Sequence, residues 1–250
     1  SDSEVLLNIF AHELGKQREI YPSAEHIFKA VAKTHRRCDG AYAVLALITG
    51  HGILAFRDSN AIRPLSIGIR KGETRDEYII ASEDALFESQ GFKKLRDVEP
   101  GEAVYIDKKG NFHSQQCSDE PKKRPCIFEY VYFSRPDSVL DGKSVYDCRK
   151  SFGKVLAKEF PTNADIVVPV PDSGVPAALG FSEESKIPFE LAIIRNHYVG
   201  RTFIQPTQSS RHSTVKMKHN PNKSSVEGKR IILIDDSIVR GTTSVKIVQL

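Results

Sequence analysis

Tryptophan is absent, methionine occurs once, and the four cysteines, Cys38, Cys117, Cys126 and Cys148, stand far apart with no C-x-x-C pair. Cysteines placed like that argue against a zinc site of local spacing and against a disulfide-stapled secreted domain. A reducing, cytoplasmic setting is the expectation. Long hydrophobic runs are missing too: none approaches the roughly 20 residues of a membrane helix, so no bilayer span is expected. Charge of one sign is scarce, with 36 Lys and Arg against 32 Asp and Glu and a net +4. That balance suits an anionic, phosphate-bearing substrate. It is too small to argue for nucleic acid, and there is no helix-turn-helix pattern or strongly basic face. There is no secretory signal, and Ser1 stands in a helix start without a preceding Met, so the natural N-terminus is expected upstream.

What is present divides into two patterns. Ser1-Asp2-Ser3-Glu4 has the form of a capping box. Val5, Leu6, Ile9, Phe10 and Leu14 then recur at helical spacing, which predicts a helix over 3–15. A second helix is expected over 24–36, with Ile27, Phe28 and Val31 inward. After Asp39-Gly40 the runs AYAVLALI, ILAFRD, EYIIAS and EAVYID are short and separated by turn residues, which predicts antiparallel strands beside the first helices. Residues 115–125, QQCSDEPKKRP, are polar and prolyl and read as a solvated linker. The domains are therefore expected at 1–120 and 121–250. Beyond the linker, the helical pattern VYDCRKSFGKVLAKEF alternates with the apolar strands DIVVPVP, FELAIIR and RIILID. Such alternation predicts a parallel sheet covered on both faces, and the whole chain is expected to be α/β. Sheets of this kind bind ligands at the carboxyl ends of their strands. Asp172-Ser173, Arg195-Asn196 and Asp235-Asp236 each fall at such an end.

The stretch IILIDDSIVRGTTS, Ile231 to Ser244, carries the chemistry. Two adjacent carboxylates are costly inside a sheet but accessible at its edge. They suit sugar hydroxyls, or a hard cation such as Mg²⁺ held through oxygen. Between Ser237 and Thr243, backbone N–H groups, a permissive Gly241 and a helix start at Thr242 and Thr243 suit a phosphate. A phosphoacceptor receiver domain also opens with an apolar strand ending in two acids, but Arg240-Gly241-Thr242-Thr243 fits a phosphate cradle better.

This stretch resembles the phosphoribosyl-pyrophosphate (PRPP) loop of type I phosphoribosyltransferases. SDSEVLLNIFAHEL, FRDSNAIRPL, FEYVYFSRPDSVLDGKSVY, VVPVPDSG and RNHYVGRTFIQPTQ narrow the resemblance to the glutamine PRPP amidotransferases. It spans nearly the whole chain. It implies the rear part of an N-terminal-nucleophile glutaminase (α+β) followed by the front of a phosphoribosyltransferase. It also implies a reaction in which glutamine-derived ammonia displaces pyrophosphate from PRPP to give phosphoribosylamine, at the opening of purine synthesis. Residue by residue, the resemblance implies that Asp235, Asp236 and Ser173 serve Mg²⁺ and the ribose. Ser237, Arg240, Gly241, Thr242 and Thr243 would hold the 5′-phosphate. Arg201, Lys216 and Lys218 would meet the diphosphate from a closing loop that begins at Arg195, where the family often has Lys. Asp2 would grip the α-amino group of glutamine, and Cys126 matches a ligand of the four-iron cluster that some members carry. Homo-oligomers and feedback by purine nucleotides are further implications.

The departures are as informative. The family's glutaminase nucleophile is an N-terminal cysteine, absent here along with its Asn-Gly oxyanion motif, so this chain is expected not to hydrolyse glutamine. The sheet ends with one partial helix after its last strand, and an internal stretch of a longer enzyme is the expectation. Ala61 stands where the family usually has Gly, and would be strained if that position needs a positive φ. A reading from a different class is a PRPP-sensing regulator of the same fold, binding without catalysis. A phosphoribosyltransferase acting on a base is disfavoured by the glutaminase-like first half.

Overall fold

The computed structural model describes residues 1–196, 219–239 and 241–250, and of residues 242 and 243 the backbone. The fold is α/β. The chain forms two compact units, Ser1–Glu129 with Asp137–Gly142, and Tyr130–Pro136 with Lys143–Leu250.

In the first unit, helix α1 (Asp2–Gly15) starts at the expected capping box, where the Ser1 amino group donates to Glu4 Oε2 at 3.3 Å. Helix α2 (Ala24–Arg37) follows, with Ser23 Oγ accepting from His26 N. Ile27, Phe28 and Val31 are buried as their spacing predicts, and Phe10 joins them. Val5, expected inward, is instead 58% exposed. At 3.6 residues per turn it lies about 140° around α1 from Phe10, outside the stripe that one sheet face can cover.

Strands β1 (Ala43–Ile48), β2 (Gly52–Arg57), β6 (Glu102–Asp107) and β7 (Phe112–Gln116) form an antiparallel sheet in the order β1-β2-β6-β7. A second antiparallel sheet has β3 (Ser66–Lys71) between β4 (Asp76–Ala81) and β5 (Lys93–Asp97). Side chains of a strand alternate between faces. Leu54, Phe56, Ala103 and Tyr105 therefore pack with the helices, while Ala55 and Val104 pack with Leu65, Ile67 and Val98 of the second sheet. Strands β3, β5 and β7 were not among the sequence expectations. Their sequences, SIGIRK, KKLRD and FHSQQ, are short and rich in charge or amide, and Leu95 is 45% exposed, so no sustained apolar alternation marks them.

The expected linker at 115–125 is not free chain. Gln116 ends β7 and Cys117 is buried. The next residues run along 59–62, with Lys122 N donating to Ser59 O at 2.9 Å and Arg124 N to Asn60 O at 2.7 Å. The charged side chains stay outside while the backbone is strapped down, and composition reports only the former.

The short strands β8 (Val139–Leu140), in the first unit, and β9 (Lys143–Ser144), in the second, flank the last crossing between the units, and β9 leads into helix α3 (Val145–Glu159). This helix packs on α4 (Val175–Ser185) through two glycines. A Cβ on Gly153 would lie 1.8 Å from Ala177 O, and one on Gly180 would lie 1.9 Å from Lys150 O. Strands β10 (Ile166–Pro169) and β13 (Ile231–Ile234) pair in parallel, with Ile166 opposite Ile231 and Pro169 opposite Ile234. Ile166 and Val168 face a cluster with Ile193 and Ile247, whereas Val167 and Ile234 face Ala157, Ala178 and Phe181. The pair is covered on both faces, as its continuous apolar runs require.

FELAIIR does not extend this sheet as one strand. Phe189 makes a single parallel bridge to Val167. The chain then turns, with Ala192 N donating to Glu190 O at 2.9 Å, an i to i+2 turn. Beyond the turn, β11 (Ile193–Arg195) pairs antiparallel with β12 (His219–Pro221) instead. The short helices α5 (Lys223–Val226) and α6 (Thr242–Gln249) bracket β13.

Candidate functional site

The two parallel strands of the second unit end side by side, and the chain beyond each turns back over the other. Val170 N still donates to Ile234 O at 2.8 Å, after which Asp172, Ser173 and Gly174 fold over the strand ends. Only glycine permits that fold: a Cβ on Gly174 would meet Ile234 O at 2.6 Å and Val170 O at 2.9 Å. Gly174 closes the motif VPVPDSG, but its close approach to a strand 60 residues away is a tertiary fact.

The result brings together four of the residues marked in the sequence. Ser173 Oγ donates to Asp236 Oδ2. Ser237 Oγ donates to Asp236 Oδ1 at 2.6 Å, and Asp236 N donates to Asp235 Oδ1 at 2.9 Å. Asp236 thus holds a hydroxyl on each carboxylate oxygen, as an ionised carboxylate accepts them. Ser237, expected at a phosphate, is turned toward Asp236 here. Burial pushes the Asp235 carboxyl above its ordinary range, the neighbouring charge of Asp236 adds to the rise, and the Asp236 N–H opposes it. A half-buried carboxylate that is costly to ionise gains most from a cation brought to it.

Behind Asp235 and Asp236 lies a cavity of about 370 Å³ walled by Val131, Phe152, Leu156 and Ala177. Arg149 lines it as well, with Nε donating to Tyr130 O and Nη2 to Ser134 O, both at 2.7 Å. This buried arginine shapes the wall by capping the carbonyls of one irregular turn, and no feature of the sequence marks it out.

On the other side of the acids, Gly241 adopts φ +67° and α6 starts at Thr242, where the sequence places a helix start. The first turn of a helix presents N–H groups without intrahelical acceptors, which suits a phosphate. Arg195 ends β11, away from the parallel pair, but its Nη1 reaches the carboxylate of Asp172. Arg201, Lys216, Lys218 and Arg240 lie outside the described residues. Asp2, in the other unit, is exposed at the start of α1 beside a groove lined also by Leu6, Phe10, Tyr42 and Arg63. Cys126 is a half-buried free thiol residue whose N–H donates to Ile62 O at 3.2 Å.

The donor set fits Mg²⁺. Asp235, Asp236 and Ser173 offer hard oxygens, and this ion is commonly held by one or two carboxylates with substrate oxygens completing its shell. Among the described residues no three His, Cys, Asp or Glu side chains gather as a metal cage of their own.

Residues 137–250 match the model of the phosphoribosyl transferase domain family. The whole chain is 49% identical to an amidophosphoribosyltransferase of Pseudomonas aeruginosa and 46% identical to that of Escherichia coli, covering 51% of each. An amidophosphoribosyltransferase of Saccharomyces cerevisiae is 45% identical, again over the whole chain and 51% of the relative. Over its whole length the chain is similar to amidophosphoribosyltransferases. It spans about half the length of the curated relatives it matches. The solved glutamine PRPP amidotransferase of B. subtilis, complexed with ADP and GMP, superposes with a TM-score of 0.82 at 42% identity, over all of this chain and 51% of that one. No helix among the described residues is long and apolar enough to cross a membrane.

Proposed function

We propose that the second unit is the PRPP site of an amidophosphoribosyltransferase, which opens purine synthesis by converting PRPP and ammonia to 5-phosphoribosylamine and pyrophosphate. The observation that carries this reading is the meeting of Ser173 with Asp236 across two parallel strand ends, beside the Gly241 turn into α6. In this reading Asp235 and Asp236 accept hydrogen bonds from the ribose hydroxyls and, with Ser173, hold Mg²⁺. The ion would supply charge to offset the departing diphosphate. The backbone from Ser237 to Thr243, with Arg240, holds the 5′-phosphate and fixes the sugar. The lone pair of ammonia then attacks C1 as the bond from C1 to the diphosphate oxygen breaks, and a proton leaves the nitrogen. Arg201, Lys216 and Lys218 are proposed to meet the diphosphate, where charge builds as that bond breaks.

Asp2 is proposed to hold the amino group of glutamine in a glutaminase portion over 1–120, with the phosphoribosyltransferase portion over 121–250. Cys126 would be one ligand of an iron–sulfur cluster, but among the described residues no three His, Cys, Asp or Glu side chains gather to hold a metal, and no step is assigned to a cluster. A homo-oligomer in the cytoplasm, restrained by purine nucleotides, completes the proposal.

Mg²⁺-dependent pyrophosphate release from PRPP tests it, with ammonium and then glutamine, alongside circular dichroism to verify folding. Release with ammonium, lost in Asp235→Asn and Asp236→Asn, is the expected result. Folded protein that binds PRPP without release would favour the ligand-sensing regulator. Folded protein that does not bind PRPP would overturn the site.

A further inference from the structure

The turn after β10 carries a further carboxylate, that of Asp172, next in sequence to Ser173. Among the described residues no lysine or arginine pairs with Asp235 or Asp236, and Arg195 pairs with Asp172. The pair is exposed unequally: the Asp172 side chain is 65% accessible and that of Arg195 35%. Arg195 Nη1 bonds the Asp172 carboxylate, while its Nε is buried with no hydrogen-bond partner. A guanidinium presents its donors as a rigid fork made for two acceptors at once. Here one donor of the fork is held by a carboxylate at the rim, and another is withheld from both water and protein. A buried donor left unmade costs free energy that a second acceptor would recover.

We propose that Asp172 is a positioning residue that stands in for the diphosphate. It holds Arg195 in place until the diphosphate of PRPP arrives, and then yields the guanidinium by exchange. This rests on the reading of the second unit as a PRPP site. The exchange has two consequences. Ground-state affinity is lowered, because only the fraction of molecules in which Arg195 has left Asp172 is ready to bind. Release of the product pyrophosphate is eased, because Asp172 recaptures Arg195 as the product departs. A lysine at this position would lack the paired donors of the guanidinium.

Titration calorimetry with magnesium pyrophosphate tests this on the whole chain, with circular dichroism of each variant. Asp172→Asn is isosteric at an exposed position and should fold. It is expected to bind about fivefold tighter than the unmodified chain, the size of a partly exposed ion pair. Asp172→Glu should keep the carboxylate and restore the original affinity. In an Arg195→Ala background, Asp172→Asn should change nothing, because the effect acts through Arg195. Unchanged or weaker binding by Asp172→Asn overturns the proposal. The same gain in the Arg195→Ala background also overturns it, leaving plain charge repulsion as the cause. Failure of the unmodified, folded chain to bind magnesium pyrophosphate overturns the underlying site reading instead.

Discussion

Ala61 is fully buried at φ +51°, in the left-handed region that alanine tolerates poorly. Its neighbours explain why the conformation persists. Asp58 accepts from Asn60 N at 3.0 Å and from Ile62 N at 3.1 Å, while the buried Arg57 donates to Ala61 O, Val98 O and Arg63 O. The strain anticipated from the sequence is therefore present and held in place by hydrogen bonds. Ala61→Gly is expected to stabilise the protein by about 0.5–1 kcal/mol in denaturant unfolding. Asp235 carries strain of another kind. Its carboxyl is raised by burial and by Asp236, so its ionised form opposes folding, and that penalty is present above the raised value and fades as pH falls below it. Asp235→Asn should accordingly raise the Tm of the ligand-free chain at neutral pH while abolishing Mg²⁺–PRPP binding. A lower Tm would show that the acid is structurally required. At this scale the sequence marked Ser173, Asp235 and Asp236, which the fold brings together. It gave no sign of Arg149 or of the role of Gly174, because both depend on what lies across the fold.

Helices were the most legible elements, since their apolar spacing and Ser caps are local properties. The α3–α4 contact was not, because its two glycines face each other's backbone only once the helices cross. Gly153→Ala or Gly180→Ala should force the pair apart and cost about 1–3 kcal/mol or more, read as a lower midpoint in urea. At the base of the parallel pair, Arg230 N donates to Asp165 Oδ2 at 2.7 Å and Arg230 Nη2 to Asp165 Oδ1 at 2.8 Å, just before β13 and β10 begin. The guanidinium beside it holds the Asp165 carboxyl at about 2, below an ordinary 3.8. Because the folded value is depressed, the stabilisation is present above pH 3.8 and lost as pH falls toward 2. Asp165→Asn should lower Tm at neutral pH, and the difference from the unmodified chain should vanish across that window. The turn at Glu190–Ala192 shows the limit of apolar runs as evidence. FELAIIR reads as one strand, yet its two halves join different partners, and nothing in the run itself says where the first partner ends.

For the molecule as a whole, two compact units with separate cores should respond differently to ligand. Scanning calorimetry with Mg²⁺–PRPP at about 100 times its Kd should add about 2.7 kcal/mol to the unit containing 143–250, and leave the unit of Ser1–Glu129 unchanged. Equal stabilisation of both would contradict a site built within the second unit. Local chemistry let the sequence by itself determine a great deal. The change from short antiparallel strands to apolar strands alternating with helices set the α/β class, and two acids before a Gly-Thr-Thr helix start set the character of the site. Both signals lie in contiguous residues, where propensity and periodicity act. Only the tertiary structure decided that Ser173 meets Asp236, that Asp172 holds Arg195, and that the polar stretch near 120 is bound rather than free. Those contacts join residues tens of positions apart, and their partners are chosen by packing and by the paths of other elements.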